Sequence, residues 1–356
     1  MIQSHQVQLV ALPLARPMAT AIHRTTHVYC ALLRVQTADA EGQSFVFSLN
    51  RDRAQALKYM IDSLASIYVN TDETPETLFK RALVDINASG AQGFAVSGIT
   101  AWDTALWDAL GKAQNRSLAE LFGQVRSEVP AYASSGLWLS YSIDELLEEA
   151  DRFIQQGFRS VKLRVDGQVE RDADRAHALR DALGDDIEIL VDANQALTVD
   201  TAIALARALE RYNIGWFEEP VLHSDLVAQR IVREASPIPI AGGETDYTCV
   251  GMQRILEADC TDVLMPDLQR IGGLTEMRNA AKLAASYNTP ISTHIFTEYS
   301  LSIAASSKNC ISVEHVDWYE GLFTAPVQIK NGQAQIPTGA GTGFVFDDAR
   351  IAEYGF

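Results

Sequence analysis

Around Pro130 the rhythm of the chain changes, and the pattern beyond it constrains the fold more than any other feature. Short apolar runs return eight times at intervals of roughly 21 to 30 residues, with helix-like stretches between them. The runs lie at Val129–Ala133, Ser160–Leu163, Ile187–Val191, Ile214–Phe217, Ile238–Ala241, Asp262–Met265, Pro290–Thr293 and Ile311–Val313. Between the first two, Ile143, Leu146, Leu147, Ala150, Phe153 and Ile154 keep the spacing of one helix face, and Gly157 supplies a helix stop. Strands alternating with helices suit a parallel sheet, open or closed. Eight repeats favour closure into an α/β (β/α)8-type barrel.

The first 125 or so residues read differently. His27 to Thr37 is rich in β-branched and aromatic residues, and Asp39 to Gly42 makes a turn. From Asp52 to Asn70 the pattern is helical, and so is the stretch from Ile99 to Leu110, with Gly111 near its end. This is a small α+β domain ahead of the barrel. The expected divisions are 1–125 for the α+β domain, 126–325 for the barrel and 326–356 for a C-terminal segment returning to the first domain.

Composition narrows the function. Of the residues, 47% are hydrophobic and 21% charged, as in a soluble globular protein, and the formal net charge is −17. That charge disfavours nucleic acid and anionic membranes as partners. It leaves a small anionic substrate open, because a bound cation reverses the local field. Cys30, Cys249, Cys260 and Cys310 form no CxxC pair, so they read as free thiols in a reducing compartment. The N-terminal residues lack a secretory pattern and no long apolar stretch is present, so a cytoplasmic location is expected.

In a barrel of this kind the residues just after each strand gather at one mouth. Here they are Ser134 and Ser135, then Lys162 and Arg164, Asp192 and Asn194, Glu218 and Glu219, Glu244, Asp267, His294, and Glu314. A packed apolar barrel needs none of them for stability. Asp192, Glu218 and Glu244 end three consecutive strands, where their mutual repulsion calls for a cation. An all-oxygen set selects Mg²⁺, or Mn²⁺, over zinc. Asp267 beside His294 fixes a tautomer and makes a candidate general base. Glu314 is expected to carry a proton and donate it in a hydrogen bond to an anionic substrate.

The stretches VDANQ (191–195), WFEEP (216–220), AGGE (241–244), MPDLQRIGG (265–273) and STHIF (292–296) resemble the enolase superfamily. Asp267, His294 and Glu314 in that order resemble its mandelate racemase subgroup. LPLARPMATA (12–21) and AWDTALWDALGK (101–112) resemble that subgroup's capping domain. The resemblance implies Mg²⁺ on Asp192, Glu218 and Glu244, and a substrate carboxylate bound to the metal. It implies further contacts from Ser134, Lys162 and Glu314, and His294 on one face of the α-carbon. It also suggests a homo-oligomer, octamer or dimer.

One departure bears on the reaction. The subgroup's second-strand motif is often Lys-x-Lys; here it is Lys162-Leu163-Arg164. Arginine is a poor proton acceptor, and a racemase needs an acid–base group on each face. Elimination of water from a hydroxy or sugar acid can be served by His294 alone, as base and then acid. The reading is therefore a dehydratase giving a 2-keto-3-deoxy acid. The alternatives are a racemase or epimerase with Lys162 as second base, a cycloisomerase, and a non-catalytic structural relative. Asn194 in the third-strand loop and Arg16, His23 and Arg24 in the cap loop are candidate substrate contacts. Ser48, Asn50, Arg51 and Arg53 in the next loop are further polar groups for a sugar acid.

Overall fold

The computed structural model describes all of residues 1–356. Three antiparallel strands open the chain: β1 (Ile2–Ala19), β2 (Arg24–Thr37) and β3 (Glu41–Ser48), paired in that order. Helices Arg51–Ser63, Pro75–Asp85 and Gly93–Ala113 pack on this sheet and enclose a core of their own. Trp102 is fully buried in it and stacks on Tyr68, with ring centroids 4.6 Å apart. Its indole N–H donates to the Ile61 carbonyl at 2.9 Å, so the large ring is buried without an orphaned donor.

Eight parallel strands come next: β4 (Glu128–Ala133), β5 (Ser160–Arg164), β6 (Glu188–Asp192), β7 (Ile214–Glu218), β8 (Ile240–Gly242), β9 (Val263–Leu264), β10 (Ile291–Thr293) and β11 (Cys310–His315). Each pairs with the next, and β11 pairs with β4, so the barrel is closed. All eight coincide with the apolar runs seen in the sequence. Helices connect each strand to the next, but β11 leads into a 3₁₀ turn, Asp317–Leu322, and not a further crossover helix. The barrel is thus a modified (β/α)8 form. Tyr132, Leu190, Trp216, Ala241, Val263 and Met265 fill part of its interior. The hairpin β12 (Ile329–Lys330) and β13 (Gln333–Gln335) adds to β4 in antiparallel fashion.

Local chemistry accounts for the elements. Helix Ile143–Gln155 starts with a capping box, Ser142 with Glu145, and ends at Gln156, followed by Gly157 at φ 97°. The helical stretch read over Asp52 to Asn70 is interrupted: it divides at Leu64 into Arg51–Ser63 and Ala65–Tyr68. Gly111 does not end its helix, which runs on to Ala113. A Cβ there would lie 2.7 Å from the Cα of Gly341, so this glycine admits the C-terminal segment. That segment reaches β1, where Val10 pairs with Gly355 and the Phe356 N–H donates to the Leu9 carbonyl at 3.2 Å. All four cysteines are free, and no helix is long and apolar enough to cross a membrane.

The α+β domain closes over the mouth of the barrel. The β1–β2 turn is tied down where the Leu139 N–H donates to the Ala19 carbonyl at 3.0 Å. Gln269, in the short helix Leu268–Ile271 after β9, accepts from the Phe47 N–H at 2.8 Å and donates to its carbonyl at 3.1 Å. One amide side chain thus fastens β3 to the barrel as a further strand would.

Candidate active site

The ends of β5, β6 and β7 bring Arg164, Asp192 and Glu218 into register across neighbouring strands. Asp192 accepts from the Asn194 N–H at 2.7 Å through Oδ1, leaving Oδ2 to Arg164 and, at 3.3 Å, to Lys162 Nζ. Lys162 Nζ also lies 2.7 Å from Glu218 Oε1 and 2.7 Å from Glu314 Oε1. It sits 5.6 Å from the ring centre of Tyr132, which forms part of the floor. The Trp216 indole donates to Glu218 Oε2 at 3.3 Å. Burial disfavours the Lys162 ammonium, but Glu218 and Glu314 outweigh it and raise its pKa.

Asp267 has two tasks. Its Oδ1 caps the short helix Leu268–Ile271 by accepting from the Arg270 N–H at 2.8 Å, and its Oδ2 lies 2.7 Å from His294 Nδ1. The cap fixes the carboxylate, and the carboxylate fixes the imidazole. His294 Nε2 is left toward the mouth, 3.1 Å from Glu244 Oε2 and 3.8 Å from Glu314 Oε2. Burial works against the imidazolium, yet Glu244, Glu314 and Asp267 push its pKa up to about 9.

The loops carry backbone strain. Leu137, Asn194, Gln195, Glu219, Ile295 and Phe296 all have φ between 33° and 66° and sit in loops at the strand ends. A β-branched residue such as Ile295 takes this conformation only where its surroundings impose it.

Several sequence expectations change on the structure. Asp192, Glu218 and Glu244 stand at adjacent strand ends but do not draw together into a ready three-carboxylate cluster. Bare carboxylates repel, and Lys162, Arg164 and His294 take up positions against them. Glu314 is not a proton carrier: against the effect of burial, Lys162 and His294 hold its pKa below the usual range. It accepts instead, from the Ser134 hydroxyl and from the Ile295 N–H at 3.2 Å. Arg164 is directed at Asp192 and at Ser134 Oγ, 2.9 Å away, with only its buried Nε–H unpartnered. Arg16 lies away from these groups, against helix Ile143–Gln155, 3.8 Å from Glu148, 3.9 Å from Glu149 and over the Tyr141 ring.

Of the remaining candidates, Asn194 and His23 are near the mouth. Asn194 donates to Asp192 Oδ2 at 3.1 Å and its own oxygen is buried without a donor. His23 is at the tip of the β1–β2 turn, where partial desolvation and then Arg270 lower its pKa. Arg53 is among the charges it feels, and Arg24 is exposed at the start of β2. Sequence reasoning passed over Arg270, which donates to the Glu244 carbonyl at 2.8 Å and lies 3.6 Å from its carboxylate. The signal was its place three residues after Asp267. Glu219 is buried with one oxygen unpartnered and the other accepting from Gln195 at 2.8 Å. It was visible beside Glu218 in the sequence but had no role assigned.

Charge decides what this mouth accepts. Asp192, Glu218, Glu219, Glu244, Asp267 and Glu314 are all buried. The cations set against them are Lys162, Arg164, Arg270 and, when protonated, His294. Two negative charges remain in excess. Accordingly burial, and then neighbouring carboxylates, raise Glu218 and Glu219 well above the ordinary carboxyl pKa, even against the pull of Lys162 on Glu218. Surplus buried carboxylates with hard oxygen donors fit a divalent cation such as Mg²⁺.

A closed barrel, polar groups at its strand ends and a small α+β cap over them together define the architecture of the enolase superfamily. Residues 4–123 match the family described as mandelate racemase / muconate lactonizing enzyme, N-terminal domain, and residues 145–350 match enolase C-terminal domain-like. The chain belongs to the mandelate racemase/muconate lactonizing enzyme family. It is 32% identical over 357 residues to the 3,6-anhydro-alpha-L-galactonate cycloisomerase of Streptomyces coelicolor, covering 99% of this chain and 98% of that one. It is 30% identical over 353 residues to the L-talarate/galactarate dehydratase of Salmonella typhimurium, covering 96% and 88%. A racemase from Streptomyces coelicolor, solved with bound magnesium, superposes with a TM-score of 0.96 at 30% identity, covering 100% of both chains.

Proposed function

We propose that this chain is a magnesium-dependent acid-sugar dehydratase that removes the proton α to a carboxylate and expels a β-hydroxyl, giving a 2-keto-3-deoxy acid. The observation that carries this reading is the excess of buried carboxylate at the mouth beside a single oriented imidazole. Asp192, Glu218 and Glu244 are the residues that would hold the metal. Magnesium there supplies a Lewis acid for the substrate carboxylate and for the charge that builds on it as the proton leaves. His294 Nε2 takes the α-proton, and Asp267 holds the ring in the tautomer that can do so. The same imidazolium then delivers that proton to the departing hydroxyl on the same face. Lys162 contributes fixed positive charge where the dianion forms. Arg164, always protonated, offers its spare Nε–H to a substrate oxygen and cannot serve as a second base.

An arginine in that position disfavours racemisation. A cycloisomerase is the second reading, and the end-to-end similarity to a cycloisomerase supports it. It needs the same proton abstraction, with a ring opening in place of the loss of water. Both relatives act on sugar-derived acids by their names, and the polar cap residues His23 and Arg53 suit such a substrate better than an apolar one.

Metal binding tests the foundation of the proposal. Millimolar Mg²⁺ is expected to raise the melting temperature of the protein, and Glu218→Gln is expected to reduce that rise by weakening the metal. A melting temperature indifferent to Mg²⁺ in the wild-type chain would remove the metal, and the mechanism with it.

A further inference from the structure

The strands whose ends carry Asp192, Glu218 and Glu244 are joined unevenly beyond their last residues. The loops after β6 and β7 keep a main-chain ladder. The Ala193 N–H donates to the Glu218 carbonyl at 3.1 Å, the Gln195 N–H to the Glu219 carbonyl at 2.7 Å and the Leu197 N–H to the Pro220 carbonyl at 3.1 Å. The loop after β8 has no such ladder. That strand ends at Gly242, and no main-chain hydrogen bond ties Glu244, Thr245 or Asp246 to the loops after β6 and β7. Side chains must therefore fix the distance of Glu244 from Asp192 and Glu218.

The side chain of Gln195 makes that connection. Its Oε1 accepts from the His223 N–H at 3.0 Å, in the loop after β7. Its Nε2 donates to Glu219 Oε2 at 2.8 Å, in the same loop, and to Thr245 Oγ1 at 2.8 Å, next to Glu244. A backbone N–H can only donate, so it fixes which end of the amide is oxygen, and the NH₂ group then meets two oxygens. His223, held by that bond, reaches the loop after β8 a second time, with Nδ1 3.3 Å from Asp246 Oδ2. On the other side of the same loop, Arg270 holds the Glu244 carbonyl at 2.8 Å. Gln195 and Glu219 adopt φ of 66° and 38°, a conformation that residues with a Cβ keep only where their surroundings impose it.

Spacing decides which cation such loops prefer. Mg²⁺ demands near-octahedral geometry at about 2.0–2.1 Å, whereas Ca²⁺ accepts irregular shells at about 2.3–2.6 Å. Three carboxylates on loops free to drift apart under their own repulsion favour the larger ion. We propose that Gln195 is a positioning residue for the metal centre. By tying the loops after β6, β7 and β8 through one amide, it holds Asp192, Glu218 and Glu244 at the spacing that selects Mg²⁺ over Ca²⁺. This role rests on those three carboxylates being the metal ligands, and it needs no contact between Gln195 and metal or substrate.

Isothermal titration calorimetry with Mg²⁺ and with Ca²⁺, in the absence of substrate, tests the proposal. The wild-type chain is expected to bind Mg²⁺ the more tightly, and the reverse order would overturn it. Gln195→Met keeps the length of the side chain and removes the amide. It should weaken Mg²⁺ by at least about tenfold, the loss typical when a group that orients a metal ligand is removed. Ca²⁺ should weaken by no more than about threefold, so that the preference for Mg²⁺ shrinks. Thr245→Val removes one of the bonds and keeps the shape, and it should narrow the preference in the same direction by about two- to threefold. Unchanged Mg²⁺ affinity in Gln195→Met would overturn the proposal while leaving the metal site in place. So would equal weakening of both ions, or a fall only in the number of sites, which is what general damage to the fold produces. An unchanged preference in Thr245→Val would overturn it too, and that variant decides the matter if Gln195→Met does not fold. A wild-type chain that binds no Mg²⁺ would instead remove the metal site, and this role with it.

Discussion

At the scale of single residues, the roles divide according to what holds each side chain. Asp267 spends one oxygen on a helix cap and the other on His294, so the imidazole is oriented before any ligand arrives. His294→Asn keeps the approximate shape and removes the proposed base. Turnover is expected to fall by roughly 10² to 10⁴ while Mg²⁺ affinity, read by calorimetry, stays within about twofold. Glu298 is a second informative residue. It is buried with neither oxygen hydrogen-bonded, and burial raises its pKa from 4.5 to about 7, with His315 and Glu320 among the charges it feels. Because the folded pKa is the higher one, the folded state binds the proton more tightly between those values. Its contribution to stability is thus present below pH 4.5 and is lost as the pH rises through 7. Glu298→Gln should remove that slope. Chemical denaturation at about pH 5 and at about pH 8 is expected to show the variant gaining about 2 kcal/mol on the wild type between the two. Parallel pH profiles would refute it. The ionisable residues at the mouth were legible because each follows an apolar run. Their pairing was not: that Lys162 bridges Glu218 and Glu314, making Glu314 an acceptor, depends on distances across the barrel that no local pattern encodes.

At the scale of elements, the barrel strands were readable because strands buried on both faces are continuous apolar runs. Their ends fell within a residue or two of the observed ones. The β1 strand was harder to define. It alternates buried and exposed residues over its length, and its pairing shifts near Ile2 and again between Pro13 and Met18, so no single period runs through it. Close approaches were also invisible. Gly42 on β3 meets helix Gly93–Ala113 so tightly that a Cβ would lie 1.9 Å from the Ala105 carbonyl oxygen. Gly42→Ala must therefore push strand and helix apart, and a loss of about 1–3 kcal/mol in urea unfolding is expected. An unchanged midpoint would mean that strand and helix separate at no cost and that the cap packs loosely there.

At the scale of the whole molecule, the cap and the barrel share one continuous core, and the cap keeps a second, smaller one. One face of the cap sheet builds the cap's own apolar interior, while the other packs Val10, Val28, Leu32 and Phe45 into the barrel's core, with Phe45 against Phe296 and Tyr319. Gln269 and the Leu139–Ala19 hydrogen bond add polar ties to that packing. On the proposed function, the cap loops set substrate identity while the barrel carries the chemistry of proton removal. That division also explains why the family was legible in the sequence and the substrate was not. The former rests on residues at strand ends, the latter on which loop side chains turn inward. His23 feels the charges of Arg270 and Glu244 at the mouth, whereas Arg16 is set against Glu149, although both belong to the same hairpin.

The proposed mechanism gives the proton to His294 alone and couples its removal to loss of water. Proton NMR in D₂O, with Mg²⁺ and a panel of aldonic and aldaric acids, puts both parts to the test in one experiment. One or more acids are expected to lose the α-proton signal and give a 2-keto-3-deoxy product. Exchange of the α-proton for deuterium in an otherwise intact carbon skeleton, with the inverted epimer accumulating, would contradict the mechanism and would make Lys162 a second base.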